Sequence, residues 1–97
     1  MITRRSRSGQ VQVTFSLPVD APPGAVSVAG PFNDWTPGAT PLKKSLRHGD
    51  RRATVTVPPG ERLPFRYVLD GEHWFDDEAP DDWQPNDQGT SDGIVLT

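Results

Sequence analysis

The chain has 97 residues, a formal net charge of −3 and no cysteine. This length allows one domain with a modest core, and without cysteine neither disulfides nor a thiolate metal site can hold the fold together. No run of the sequence approaches the roughly 18 apolar residues that a membrane span needs. We therefore predict a soluble, cytoplasmic protein with no membrane partner.

The charges are distributed unevenly along the chain. Three arginines, Arg4, Arg5 and Arg7, crowd the first residues, whereas most acidic residues lie between Asp70 and Asp87. We predict that residues 1–9 form a flexible basic arm and that residues 10–97 form a single domain. A nucleic-acid-binding protein usually presents a basic face made by the folded domain. Because the basic cluster lies on this arm, no nucleic-acid partner is expected.

The first predicted element is a strand over residues 10–18, "QVQVTFSLP". Its apolar residues alternate with polar ones, as is typical of a half-buried strand. The same alternation predicts strands in "AVSVAG" at 25–30 and "RATVTVP" at 52–58. In "LPFRYVLDG" at 63–71, it places Phe65 and Tyr67 inward and Arg66 and Val68 outward. A final strand is predicted in "DGIVLT" at 92–97, with weaker strands at 42–46 and 73–75.

The connections between these strands have the composition of turns. "PPG" at 22–24 and at 58–60 suits type II turns, and "HGD" at 48–50 and "DG" at 70–71 suit hairpins. The polar, proline-rich residues 76–91 predict a long surface loop. Several short, evenly spaced strands predict an all-β antiparallel sandwich of about seven strands, like an immunoglobulin domain without its disulfide.

Two motifs in this order resemble a known family. They are "GPFNDW" at 30–35 and, some thirty residues later, "FRYVLDG" at 65–71. The chain from about residue 10 to residue 97 is similar to carbohydrate-binding module family 48. This family includes the glycogen-binding domains of AMP-activated kinase β-subunits and the early-set domains of isoamylases and glycogen branching enzymes. The resemblance implies an early-set, immunoglobulin-like sandwich that grips α-1,4-linked glucans, and a glycogen- or starch-metabolising enzyme as a further partner to consider.

The resemblance also implies which residues contact the sugar. The two stacking tryptophans correspond to Trp35 and Trp74, and the basic residue corresponds to Arg66. "DGEHW" before Trp74 is one residue longer than the usual kinase-type pattern. The last loop, "QGTSDG", supplies Gln88, Thr90 and Asp92. Gln88 replaces an apolar residue of the kinase type and Asp92 replaces an asparagine, so a simple stacking platform is expected rather than a site that encircles the glucan. Trp83 has no counterpart in the family and is a third candidate platform.

Each of these residues also has a structural interpretation. Trp35 could cap the end of the sandwich over Phe32, which we predict to be a core residue, and Trp74 could be a buried strand residue. Arg66 could simply pair with Asp70, Glu72 or a neighbouring loop acid. Trp83 could act as a lid that ties the acidic loop to the domain surface.

The residue content argues against an enzyme. The chain has only 2 histidines, no nucleophile-elbow serine and no P-loop. Its carboxylates are concentrated on one polar loop rather than paired across a cleft, as a glycosidase requires. "DDEAPDD" at 76–82 lacks the residue order of a dedicated calcium loop. We therefore predict a non-catalytic α-glucan-binding module without a cofactor. The alternative is an early-set domain that mediates protein contacts and whose sugar site has decayed.

Overall fold

The computed structural model describes all 97 residues and contains nine strands in two antiparallel sheets. The first sheet has the strand order β1-β2-β5-β4. The second has the order β3-β6-β9-β8, with β7 also paired to β6. The strands are β1 (Ile2–Arg7), β2 (Gln10–Pro18), β3 (Val26–Ala29), β4 (Lys43–Ser45), β5 (Asp50–Val57), β6 (Arg62–Leu69), β7 (His73–Phe75), β8 (Asp82–Pro85) and β9 (Ser91–Leu96). The predicted all-β antiparallel sandwich is confirmed, with nine strands rather than about seven.

The core lies between the two sheets and contains the inward residues that the alternation predicted. Phe15 of β2 packs against Phe65 of β6 with ring centroids 4.9 Å apart, and Phe65 meets Tyr67 edge to face at 5.8 Å. Valines surround these rings on both layers. The only helical segment is a 3-10 turn of three residues, and no helix could traverse a bilayer.

The prediction of a flexible N-terminal arm is wrong. Residues Ile2–Arg7 form β1, which pairs with β2 along its whole length. Only Ile2 of this strand packs against the core, and the remaining residues are exposed. A half-buried strand shows apolar alternation, but an edge strand can be held by backbone hydrogen bonds to its neighbour alone. Because β1 consists mainly of charged and polar residues, apolar alternation did not predict it.

Candidate functional site

A cavity of about 580 Å³ gathers most of the predicted site residues on the outer face of the second sheet. Its size lies within the usual range for small-molecule sites, about 300–1,000 Å³. The residues come from the turn after β3, from β6 and β7, and from the β8–β9 hairpin. They are Trp35, Arg66, Trp74, Asn86, Asp87, Gln88 and Asp92.

The turn after β3 is built by the side chain of Asn33. Its amide nitrogen donates to the carbonyl oxygen of Val28 at 2.9 Å and to the hydroxyl of Thr40 at 3.0 Å. Its amide oxygen accepts from the backbone N–H of Gly30 at 3.2 Å. These bonds replace the backbone partners that the chain loses when it leaves the strand, so the turn has one defined shape.

This turn directs its two aromatic residues to opposite sides. Phe32 packs against the core, with its ring centroid 5.9 Å from that of Phe15. Trp35 follows Asp34, and both residues have left-handed backbone conformations, with φ of 57° and 54° respectively. The N–H of Trp35 donates to the carbonyl oxygen of Gly30 at 2.9 Å. Trp35 is half-buried, is absent from the core cluster and lines the cavity.

The strand pairing decides which way Trp74 faces. Phe75 lies opposite Tyr67, which is buried in the core, and Trp74 lies opposite Val68. Directly opposed residues share a face and neighbours along a strand alternate, so Trp74 points outward while Phe75 points inward. Trp74 is 37% exposed. Val68 shares this outward face, as the alternation predicted, but it is fully buried between its cross-strand neighbours Trp74 and Ser27 and offers no exposed surface.

Arg66 is held by one acidic neighbour. Its Nε donates to Oδ1 of Asp76 at 3.0 Å, so the partner is a neighbouring loop acid, as the structural interpretation of Arg66 allowed, rather than Asp70 or Glu72. Both side chains keep some solvent exposure, and such pairs contribute little to stability. The two terminal nitrogens of Arg66 have no hydrogen bond within the protein. The ion pair therefore orients the guanidinium and leaves its outer donors for a ligand.

The segment that carries Asp76 is anchored by its buried neighbour, Asp77. This carboxylate accepts hydrogen bonds from the Tyr67 hydroxyl at 2.6 Å, from the N–H of Ala79 at 2.9 Å and from the N-terminal ammonium group at 3.2 Å. Burial alone would raise the pKa of Asp77. The hydrogen bonds outweigh burial and hold the pKa below its ordinary value. Asp77 is therefore ionised near neutral pH and fixes the chain just after β7.

The β8–β9 hairpin is organised by Asn86, which is not among the predicted site residues. Its amide oxygen accepts from the N–H groups of Gln88 at 3.0 Å and Thr90 at 3.2 Å. Its amide nitrogen donates to the Thr90 hydroxyl at 2.8 Å and to the Asp92 carboxylate at 3.1 Å. Gln88 and Asp92 therefore line the cavity, whereas the Thr90 hydroxyl is used within the loop and does not line it. The available signal was an asparagine after a proline in a loop, where such side chains commonly bond to nearby backbone.

The structure does not bring Trp83 into this cavity. In the β8–β9 pairing, Trp83 lies opposite Gly93 and Gln84 lies opposite Asp92. Because neighbouring residues alternate between faces, Trp83 and Asp92 lie on opposite faces of the hairpin. Trp83 is 44% exposed, at the edge of the sandwich.

A larger cavity of about 950 Å³ lies on the other side of β7 and is lined mainly by apolar residues, including Leu17 and Phe75. None of the predicted site residues lines it. Two of its acidic residues, Asp76 and Asp77, are already bound to Arg66 and Tyr67. The smaller cavity, with its unpaired donors and exposed indole, is therefore the better candidate for a binding site.

The chemistry available in the smaller cavity is stacking and hydrogen bonding. Two indoles offer flat apolar faces, Arg66 offers donors, and Gln88 and Asp92 offer amide and carboxylate groups. No group of three or more His, Cys, Asp or Glu side chains in the structure could hold a metal ion. No model of a known protein family matches the chain, and no curated protein matches it either.

Proposed function

We propose that this protein is a non-catalytic module that binds α-1,4-linked glucans such as glycogen, starch chains or malto-oligosaccharides. One observation carries the proposal. A single cavity collects Trp35, Trp74 and Arg66 together with polar side chains of the β8–β9 hairpin. The resemblance to carbohydrate-binding module family 48 implies five of the lining residues, which are Trp35, Arg66, Trp74, Gln88 and Asp92. Thr90, which it also implies, does not line the cavity. In this proposal, the sandwich is an early-set, immunoglobulin-like domain.

The tryptophans supply most of the binding free energy in this proposal. A pyranose ring has an apolar C–H face that an indole can cover. Each platform that removes about 100 Å² of apolar surface from water contributes about 2.5 kcal/mol. Two platforms give about 5 kcal/mol before the costs of association and of ordering the oligosaccharide. A dissociation constant near the millimolar level, about −4 kcal/mol, is therefore expected.

The polar groups determine how the sugar is oriented. Arg66 can donate from its terminal nitrogens to two neighbouring hydroxyls, since its ion pair uses only Nε. The Asp92 carboxylate accepts one hydrogen bond from Asn86 and has further lone pairs for hydroxyl donors. Gln88 is exposed and can donate or accept. No hydrogen bond within the protein has to break before these groups bind sugar.

The test is a titration with maltoheptaose up to about ten millimolar, chosen to exceed the expected millimolar dissociation constant. Tryptophan fluorescence and backbone amide chemical shifts report binding. We expect shifts at Trp35, Trp74 and Arg66, and we expect Trp35→Ala and Trp74→Ala each to abolish most of the response. Trp83→Ala is the matched control, because this indole is exposed but lies outside the cavity. A β-1,4-linked glucan of similar length tests linkage preference.

A response that survives Trp35→Ala and Trp74→Ala, or no response at the highest concentration, would contradict the proposal. In the second case, the alternative is an early-set domain that contacts a protein and has lost its sugar site. The Thr90 hydroxyl favours this alternative, since the loop uses it internally. A glycogen- or starch-metabolising enzyme is then the first partner to test.

A further inference from the structure

The two layers of the sandwich carry opposite charge. The segments that form the first sheet, residues 2–18 and 43–57, contain eight of the ten Lys and Arg residues and one of the thirteen Asp and Glu residues. The expectation that the folded domain has no basic face rested on a flexible arm, and that arm is strand β1. Arg51 is buried, and Arg4 and Arg52 are paired with Asp81 and Asp50. The other five cations of this sheet are exposed and form no ion pair: Arg5, Arg7, Lys43, Lys44 and Arg47. The first sheet is therefore a basic layer, and all acidic residues except Asp50 lie outside it.

The basic layer has an apolar tip at the β4–β5 turn. Leu46 is 100% exposed, which is more than any other large apolar side chain of the protein. The turn that holds it is well defined, because the N–H of Gly49 donates to the carbonyl oxygen of Ser45 at 2.8 Å. Ser45 and His48 also share a side-chain hydrogen bond of 2.9 Å. Three exposed cations flank the leucine: Lys43, Lys44 and Arg47.

A single exposed leucine is common on protein surfaces and by itself needs no explanation. Here it projects from a fixed turn among cations, so a matching partner needs an anionic surface with an apolar interior beneath it. A single-stranded nucleic acid would require exposed aromatic residues on which its bases stack. The only aromatic residue of the first sheet is Phe15, which is fully buried.

We propose that the segment Lys43–His48 docks the protein on an anionic phospholipid surface. The cations pair with lipid phosphates and carboxylates, and Leu46 enters the boundary between headgroups and acyl chains. Peripheral docking of this kind needs no spanning segment, so the lack of a long apolar run does not oppose it. The candidate cavity opens on the other layer and remains accessible, and the proposal stands independently of what that cavity binds.

The test is co-sedimentation of the full chain with large unilamellar vesicles. Vesicles of phosphatidylcholine with about one-third phosphatidylserine are compared with pure phosphatidylcholine, at about 0.05 M and about 0.5 M salt. We expect binding only to the anionic vesicles and only at low salt. Leu46→Ala should weaken binding about tenfold. Lys44→Gln should weaken it about fivefold.

Two variants of the acidic layer serve as matched controls. Leu96→Ala removes another exposed leucine and Arg62→Gln removes another exposed cation, and both should bind vesicles like the unaltered protein. Equal losses in the control variants would refute the proposal, as would the absence of binding to anionic vesicles at low salt. Binding to a duplex DNA of about 20 base pairs but not to vesicles would overturn it and assign the basic layer to nucleic acid instead.

Discussion

Replacing Tyr67 by phenylalanine should destabilise the fold by about 2 kcal/mol at neutral pH, because it removes one donor from a buried carboxylate. The Tyr67 hydroxyl donates to Asp77 at 2.6 Å, and both residues are buried. The phenylalanine ring preserves the aromatic packing of the core. The measured loss therefore isolates this one hydrogen bond.

The magnitude follows from the charge of the acceptor. A hydrogen bond to a charged group contributes about 1.5–3 kcal/mol, compared with about 1 kcal/mol for a neutral pair. After Tyr67→Phe, Asp77 keeps only the N–H of Ala79 and the N-terminal ammonium group as donors. For a domain of this size, a loss of about 2 kcal/mol corresponds to a decrease in Tm of about 10 °C.

The cost of this substitution depends on pH with a defined sign. Burial raises the pKa of Asp77, but the hydrogen bonds from Tyr67 and the other donors together lower it by more. The pKa in the folded state is therefore below the ordinary value of 3.8. A lowered pKa in the folded state stabilises the protein above the unfolded-state pKa, and this stabilisation is lost as pH falls through the folded-state pKa. The cost of Tyr67→Phe should therefore be largest above about pH 4 and should shrink in more acidic solution.

Urea denaturation at pH 7 and near pH 3 measures this difference. Asp77→Asn is the companion variant, and in the double variant the coupling between the two positions gives the pair's own contribution. A cost below about 0.5 kcal/mol at pH 7 would show that this hydrogen bond does not stabilise the fold, because ordinary surface substitutions already change stability by that amount. An equal cost at both pH values would show that the carboxylate charge is not involved.

Three further predictions concern the frame of the site, and thermal denaturation checks the first two. Arg51→Ala should cost about 3 kcal/mol, because Arg51 is 4% exposed and its guanidinium donates to two carbonyl oxygens of the turn before β3. Gly30→Ala should cost about 2 kcal/mol, since the new Cβ would lie 2.6 Å from the Phe32 ring. Asp76→Asn should weaken maltoheptaose binding about threefold by loosening Arg66, with a change in stability below about 1 kcal/mol. A sugar titration measures this last effect.

Apolar alternation identified the strands that contribute to both sides of the core. Strand β2 follows it from Val11 to Phe15, with Val11, Val13 and Phe15 buried, although Ser16 is buried as well. It did not identify β1 or β8, where charged and polar residues predominate. Both are edge strands, and their neighbours supply the backbone partners that define them. These two strands form because β2 and β9 offer free backbone groups to pair with, and the local sequence of β1 or β8 does not reveal those partners.

The candidate site shows the same division. The alternation of side chains along β6 was enough to predict that Arg66 points to the outer face, since the side chains of its neighbours Phe65 and Tyr67 point into the core. The position of Trp83 depended on its register against β9, and strand β8 itself was not predicted. Asn86 acts only through bonds within a loop whose shape it determines. Register and loop shape are therefore the parts that the sequence pattern left open.

The segment "DGEHW" is one residue longer than the kinase-type pattern, and the place of this additional residue shows how the register of β7 is decided. Pairing between β6 and β7 begins with Leu69 opposite His73, so the hairpin loop has three residues, Asp70, Gly71 and Glu72. The first two have positive φ, and the N–H of Glu72 donates to the carbonyl oxygen of Leu69 at 3.1 Å. The tight turn thus closes over Asp70 and Gly71, and the additional residue remains in the loop. In the strand that follows, the same side chains face the core as a loop shorter by one residue would give, with Trp74 opposite Val68 and Phe75 opposite Tyr67.

Phe75 explains why the loop, rather than the strand, accommodates that residue. Its ring lies 5.3 Å from the ring of Tyr67, on the core side of β7. A slip of one residue would turn every side chain of β7 to the other face, exposing Phe75 to water and pushing the indole of Trp74 into the core. Burial of Phe75 therefore opposes the slip and keeps Trp74 over Val68, at the edge of the cavity. The outward direction of this indole is a consequence of core packing one residue away, whatever ligand the cavity receives.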